Sequence, residues 1–196
     1  MANTVHLDSH AAATLKYIRA TMEGAASLAV PGSAGIALGI IGLIAAGLSS
    51  MSGLREHWFK IWMLASLLAA GVGSALLVRQ SSLRSLRLVG TPLGKFAMCL
   101  IPPIAAGLVL TCVNWFAHNT HAIPGTWLLM YGCALIAAST VTLRVIAVLG
   151  ALFAALGVAA FMLPEAAQVH LLGAGFGALH IIFGIIIGRT QHAESG

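Results

Sequence analysis

One histidine, His180, stands inside an apolar stretch, Leu171 to Ile187, that holds no Asp or Glu. Ionisable side chains within such stretches are costly in lipid and are functional candidates by default. His180 shares a stripe with Gly173, Gly177, Gly184 and Gly188 at steps of three and four, so it faces protein rather than lipid. A neutral imidazole donating one hydrogen bond across a helix interface is the simpler alternative to a functional role. A second oddity is Pro102-Pro103, near the middle of another apolar run. Neither residue has an N–H, so the carbonyls of Met98 and Cys99 lose their helical donors. In lipid those carbonyls need another donor, and interrupted helices at mid-depth line binding sites in transporters. His180, Pro102, Pro103, Met98 and Cys99 therefore form the intramembrane candidate site, with His180 expected to donate to one of the freed carbonyls.

Four histidines collect between apolar runs instead. His57, His118, His121 and His170 fall in connections assigned to one side of the bilayer, with Glu56 and Glu165. Imidazole and carboxylate suit Zn²⁺ or Cu²⁺, and His118 and His121 would share a face if their segment were helical. A b-type haem needs two facing axial ligands, for which His180 with Met98 or Met130 is the available pair. No cofactor is expected from any motif; metal and haem are alternatives resting on these histidines. Gly173-x-Gly175-x-Gly177 lacks the spacing and the preceding strand of a dinucleotide fingerprint.

Catalysis is harder to build. His180-x-x-x-Gly184-x-x-x-Gly188 is similar to the sixth helix of rhomboid proteases, which also require a serine in a Gly-x-Ser-Gly turn of the fourth helix. Here that helix reads Tyr131-Gly132-Cys133-Ala134. A histidine base without a nucleophile in reach does no acyl transfer, so the chain is read as non-enzymatic.

The elements that must position these residues follow from composition. Of 196 residues, 59% are hydrophobic and 8% charged, against about 25% charged in soluble domains. So few charges cannot cover a water-facing surface. Cys99, Cys112 and Cys133 lie in apolar runs and read as small hydrophobes. A span needs roughly 20 apolar residues, and six runs qualify: Pro31 to Leu48, Trp58 to Val78, Leu93 to Phe116, Thr126 to Leu143, Val145 to Leu163 and Leu171 to Ile187. The expected fold is all-α, a polytopic bundle of about six transmembrane helices over residues 30–189. A cytoplasmic segment, 1–29, and a tail, 190–196, flank it.

Lys16, Arg19, Arg79, Arg84, Arg87, Lys95, Arg144 and Arg189 fall on the side of both termini, while only Arg55 and Lys60 fall opposite. Eight against two places the termini in the cytoplasm. Ala11, Leu15, Ile18, Met22 and Ala25 line one face of an expected interfacial amphipathic helix, which Pro31-Gly32 ends. Arg79, Arg84 and Arg87 form a surface for anionic lipid or a protein partner. The positive charge speaks to topology, and no nucleic-acid partner is implied.

Tyr17-Ile18-Arg19, Thr21-Met22-Glu23 and Val30-Pro31-Gly32, with Ile123-Pro124-Gly125-Thr126-Trp127-Leu128-Leu129, resemble a family of small bacterial inner-membrane proteins with six helices. The resemblance implies a bacterial inner-membrane location and brings no activity or site residues with it. Val30-Pro31-Gly32-Ser33 also matches Ile123-Pro124-Gly125-Thr126, suggesting a three-plus-three inverted repeat over 30–116 and 123–188.

Glycine stripes complete the reading. Gly32, Gly35, Gly39 and Gly42 in the first run, and Gly173, Gly177, Gly184 and Gly188 in the last, are spaced for close helix packing within the chain or against a partner or second copy. Three functions are carried forward. The first is a non-catalytic accessory or regulatory subunit of a membrane complex, acting through helix packing. The second is a small transporter or channel with a site near Pro102, Pro103 and His180, and the third is an extracytoplasmic metal or haem protein.

Overall fold

The computed structural model describes residues 31–83 and 92–193, together with Thr14, Leu15 and Tyr17. Among these the chain is helical with short connections and no strand. The helices are α1 (Gly32–Ser50), α2 (Trp58–Leu83), α3 (Pro92–Phe116), α4 (Ala122–Ser139) and α5 (Arg144–Met162). A last segment runs in three parts: α6 (Glu165–Leu172), a π-helical stretch (Gly173–Leu179) and α7 (His180–Ala193). Six stretches are long and apolar enough to cross a membrane, the last being Glu165–Gln191. This is an integral membrane helix bundle. The expected N-terminal amphipathic helix lies outside the described residues apart from Thr14, Leu15 and Tyr17, as do Arg84 and Arg87; Arg79 is exposed near the end of α2.

Two boundaries differ from the sequence expectation. The fourth span begins at Ala122, not Thr126, because Pro124 sits in the first turn, where a missing N–H breaks no helical bond. It ends at Ser139, so residues 140–143 make the turn into α5. The sixth span begins at Glu165, directly after Pro164, since α6 continues into the π-helical stretch.

Two seams hold the bundle. Along the first, α1 lies on the last segment with almost nothing between the backbones. A β-carbon at Gly35 would fall 2.9 Å from Gly184 Cα, and one at Gly39 would fall 2.7 Å from the Gly177 carbonyl oxygen. Along the second, α4 lies on α5. A β-carbon at Gly132 would fall 2.7 Å from the Gly150 carbonyl oxygen, and one at Gly157 would fall 2.7 Å from the Leu129 nitrogen. Real β-carbons do not come this close, so glycine at these positions sets the interaxial distance. Helices in lipid gain little from burying apolar surface against one another, which makes close dispersion contact along such seams the main attraction.

The remaining helices attach more loosely. α2 leans on α1, and α3 leans on α4 through Trp127 Nε1, which donates to Thr111 Oγ1 at 2.7 Å. Only 6% of the most apolar stretch of α2 is buried, against 50% for α4. α2 and α3 barely touch. They meet at one end, where Phe59 stacks on Trp115 with ring centroids 4.6 Å apart and Trp127 lies 6.1 Å from Phe59. Trp58, Trp62, Trp115 and Trp127 all lie toward this tryptophan end, an arrangement suited to a membrane interface. Beyond the stack the two helices leave a groove between them.

Candidate functional site

The groove has a volume of about 520 Å³ and reaches from Trp127 at the tryptophan end to Phe96, Leu77 and Ile187 at the other. Residues of α1, α2, α3, α4, α5, the π-helical stretch and α7 wall it. From α3 the lining residues are Phe96, Leu100, Ile104, Gly107 and Leu108, one face of a helix. The wall is almost wholly hydrocarbon and aromatic. Tyr131 and His180 form its hydrogen-bonded polar pair, both near the middle of their spans.

Their geometry is built by four rings. Tyr131 comes from α4, Phe153 from α5, Phe176 from the π-helical stretch and His180 from the start of α7. Tyr131 Oη lies 2.9 Å from His180 Nε2. The imidazole packs edge-on to Phe153, with centroids 5.2 Å apart, and parallel to Phe176 at 6.1 Å. Tyr131 sits 4.9 Å from Phe153 and 5.2 Å from Phe176. Gly175 makes room for this cluster: a β-carbon there would fall 2.7 Å from Leu128 Cδ2 and 3.0 Å from Phe153 Cε1. His180 is 5% exposed, so its rotamer is fixed by packing on every side.

The proton positions follow from the partners. His180 Nδ1 faces the Gly175 carbonyl oxygen at 3.4 Å. A carbonyl can only accept, so a neutral imidazole carries its proton on Nδ1 and points it there. Nε2 is then an acceptor, and the Tyr131 hydroxyl donates to it. The Tyr131 oxygen keeps lone pairs with no donor among the described residues. The π-helical register matters here because its wider turn brings the carbonyl of Gly175, five residues earlier in sequence, within reach of the His180 side chain.

This arrangement overturns the expected link between His180 and the proline pair. Both imidazole nitrogens are engaged by Tyr131 and Gly175, not by the carbonyls of Met98 or Cys99. α3 runs as one helix through Pro102 and Pro103. Pro102 is exposed and Pro103 half-buried, while Met98 is 70% exposed and Cys99 packs at the edge of the core. The reason is rotational. Leu100 and Ile104 face the groove, and Pro102, two residues on from Leu100, is about 200° around the helix. The groove therefore touches the neighbours of the prolines rather than the prolines themselves.

The other candidates do not converge. Among the described residues no group of three or more His, Cys, Asp or Glu side chains is placed to hold a metal ion. His57, His118 and His170 are exposed and His121 is half-buried. His118 adopts a positive φ of 55°, which ends α3's helical path, so it shares no helical face with His121. Of the glycine stripe, Gly32, Gly35, Gly39 and Gly42 meet Gly177, Gly184 and Gly188 within this chain, and Gly173 meets Ala46.

Two polar positions escaped the sequence reading. Tyr131 was legible in principle, since a phenol ten residues into an apolar helix has to find a partner. Gln168 is the other: buried, it donates to the carbonyls of His121 at 2.8 Å and Ala160 at 3.4 Å. Pro164, lacking an N–H, leaves the Ala160 carbonyl without its helical donor, and Gln168 fills the gap. Trp62 is buried in the groove wall 6.0 Å from Phe176, and its indole N–H has no acceptor among the described residues.

The chain matches no protein-family model, no curated protein and no solved structure.

Proposed function

We propose that this chain is a non-catalytic protein of the bacterial inner membrane, termini in the cytoplasm, that takes an apolar, chain-like ligand from the bilayer into the groove between α2 and α3. The observation that carries this reading is the groove, with its largely hydrocarbon lining and the hydrogen-bonded Tyr131–His180 pair at mid-depth. Ligand pockets of about 300–1,000 Å³ with a few placed polar groups are typical of small-molecule sites. A groove of this size suits one lipid-sized chain. The loose attachment of α2 gives such a chain a way in from the side. Arg79 and the rest of the basic segment support an accessory role beside anionic lipid or a protein partner.

Carriage across the membrane is the second reading, favoured by helix adjacency. The first span neighbours the second and sixth, and the fourth neighbours the fifth and third. Those are the pairs that two inverted three-helix halves would make, the arrangement from which alternating access is built.

The test uses Trp62 as the reporter. A dibrominated octadecyl chain added to the protein in detergent should quench tryptophan fluorescence saturably. Ala69→Phe, which puts a ring into the groove wall, should weaken that quenching, whereas Ala75→Phe on the exposed side of α2 should not. Quenching that rises without saturating, and equally in all three proteins, would mean the probe only fills the micelle and the groove holds nothing.

A further inference from the structure

The two ends of the groove differ in charge. Resting on the groove reading above, we infer that its occupant is an anionic membrane lipid, with one chain in the groove and its head at the end opposite the tryptophans. Four of the helices that wall the groove carry a Lys or Arg at that end. Arg79 lies two residues beyond Leu77 on α2, Lys95 one beyond Phe96 on α3, Arg144 two beyond Ile146 on α5 and Arg189 two beyond Ile187 on α7. Each is therefore within about 3 Å in height of the outermost groove-lining residue of its own helix. These positions stand around the rim, not on the helix faces that line the groove, and long basic side chains reach from such positions to the membrane surface. All four are exposed, and none is ion-paired among the described residues. At the tryptophan end Arg55 and Lys60 are balanced by Glu56 and Glu165. Counted by sequence, the side of the basic rim holds the eight Lys and Arg named earlier against Asp8, Glu23 and Glu194. Charge complementarity at the rim thus favours an anionic head.

The shape of the groove sets the direction. At the tryptophan end the Phe59–Trp115 stack bridges α2 and α3. Away from it the two helices barely touch, so a lipid can keep one chain inside and leave the other in the bilayer. From Trp62 to Leu77, both in the wall, is fifteen residues, roughly 22 Å of helix, against about 30 Å for the whole hydrocarbon core. A chain whose head sits at the basic rim therefore runs past the midplane toward Trp62. The wall itself contains no Lys, Arg, Asp or Glu. Its polar groups include the Ser66 and Ser74 hydroxyls and the Tyr131–His180 pair, and Ser66 already donates to the Met63 carbonyl at 2.8 Å. Selection between charged and neutral heads falls to the rim. In the orientation proposed above the lipid comes from the cytoplasmic leaflet, where basic residues near the surface attract anionic lipid.

Native mass spectrometry of the full chain in detergent micelles tests this with two lipids of equal chains, dioleoylphosphatidylglycerol (anionic) and dioleoylphosphatidylcholine (zwitterionic). The fraction of protein carrying one lipid is titrated for each. One exposed charge pair corresponds to about a 1.4–5-fold change in affinity. The wild type should prefer the glycerol lipid, and Lys95→Gln and Arg144→Gln should each cut that preference by about this factor. Lys60→Gln, at the tryptophan end, should leave it unchanged. Ala69→Phe, which puts a ring into the groove wall, should remove the preference by displacing the lipid. A preference absent in the wild type, unmoved by the rim substitutions, or cut as much by Lys60→Gln overturns the head assignment, and saturable one-to-one binding would still leave the groove reading standing. A preference kept at full strength in Ala69→Phe means that the basic residues hold lipid on the surface, and overturns the proposal. Failure of both lipids to bind saturably overturns the groove reading itself. A second measurement needs no variant. A diazirine at the end of an acyl chain of the glycerol lipid should label Met63 or Trp127, and one in its head should label the Leu77 and Phe96 end. The reverse pattern overturns the proposed orientation.

Discussion

Replacing Gly39 by alanine adds one methyl group to the seam between α1 and the last segment. That methyl would lie 2.7 Å from the Gly177 carbonyl oxygen and 2.9 Å from the Ile181 nitrogen. Ile181 Cγ1, at 2.5 Å, belongs to a side chain that can turn aside, but these two are backbone atoms that cannot. The helices must part by several tenths of an ångström, and a gap of about 0.5–1 Å forfeits a quarter to a half of each dispersion contact along the seam. Overpacking of this kind costs about 1–3 kcal/mol. Gly47 lies two turns along the same helix, with open space where its β-carbon would be. Gly47→Ala is therefore the matched control, and the helical preference of alanine, about 1 kcal/mol over glycine, acts on both variants alike. The assay is reversible unfolding in mixed micelles titrated with denaturing detergent, followed by tryptophan fluorescence. Gly39→Ala should be the less stable of the two by about 1–3 kcal/mol. Equal stabilities would refute the claim that glycine sets the seam.

Tyr131→Phe should destabilise the fold by about 1–3 kcal/mol, because it leaves His180 Nε2 buried without its donor; the same micelle titration reads it. Gln168→Leu should cost a similar amount, about 1–3 kcal/mol, by orphaning the Ala160 carbonyl and removing the side-chain bond to the His121 carbonyl, and hydrogen exchange at residues 121–125 should rise. Phe59→Ala removes the stack that joins α2 to α3. A spin-label pair near the tryptophan ends of these helices should then report a wider and broader separation. For topology, a cysteine at Asn119 in a cysteine-free background should react with an impermeant maleimide from outside the cell, and one at Thr142 only after the membrane is opened; the opposite result would invert the charge-based orientation.

The spans were legible because hydropathy over some 20 residues is a strong and local signal. Where it failed it did so at prolines. Pro124 reads as part of a span-opening motif and is accommodated in the first turn of a helix that begins earlier, at Ala122, while Pro102 and Pro103 are absorbed within α3, Pro102 on the side away from the groove. Their rotational position depends on how α3 rests on α4, which no local pattern encodes. His180 was legible as an oddity, but its partners were not. Tyr131 lies 49 positions away in sequence, and nothing in the apolar run around it indicates which helix it faces. The glycines of α1 and the last segment were legible as packing faces, and only the coordinates show that they face each other.

That pairing has a consequence for how the protein is made. Of the six spans, α1 leaves the ribosome before the others and finds a backbone partner, Gly184, in the last of them. At about 5–20 residues per second, the intervening chain takes roughly 8–30 s to appear. Throughout that interval α1 sits in lipid with a smooth, ungripped glycine face, the feature by which any other small-residue helix in the membrane would dock on it. α4 and α5, by contrast, are adjacent in sequence and can zip together as soon as both are inserted. Assembly is therefore polarised: α4 and α5 pair early, and the glycine face of α1 is covered only when the final segment arrives. A chain truncated before Gly173 would hold every other span and still leave the glycine face of α1 uncovered, a natural target for membrane quality-control proteases.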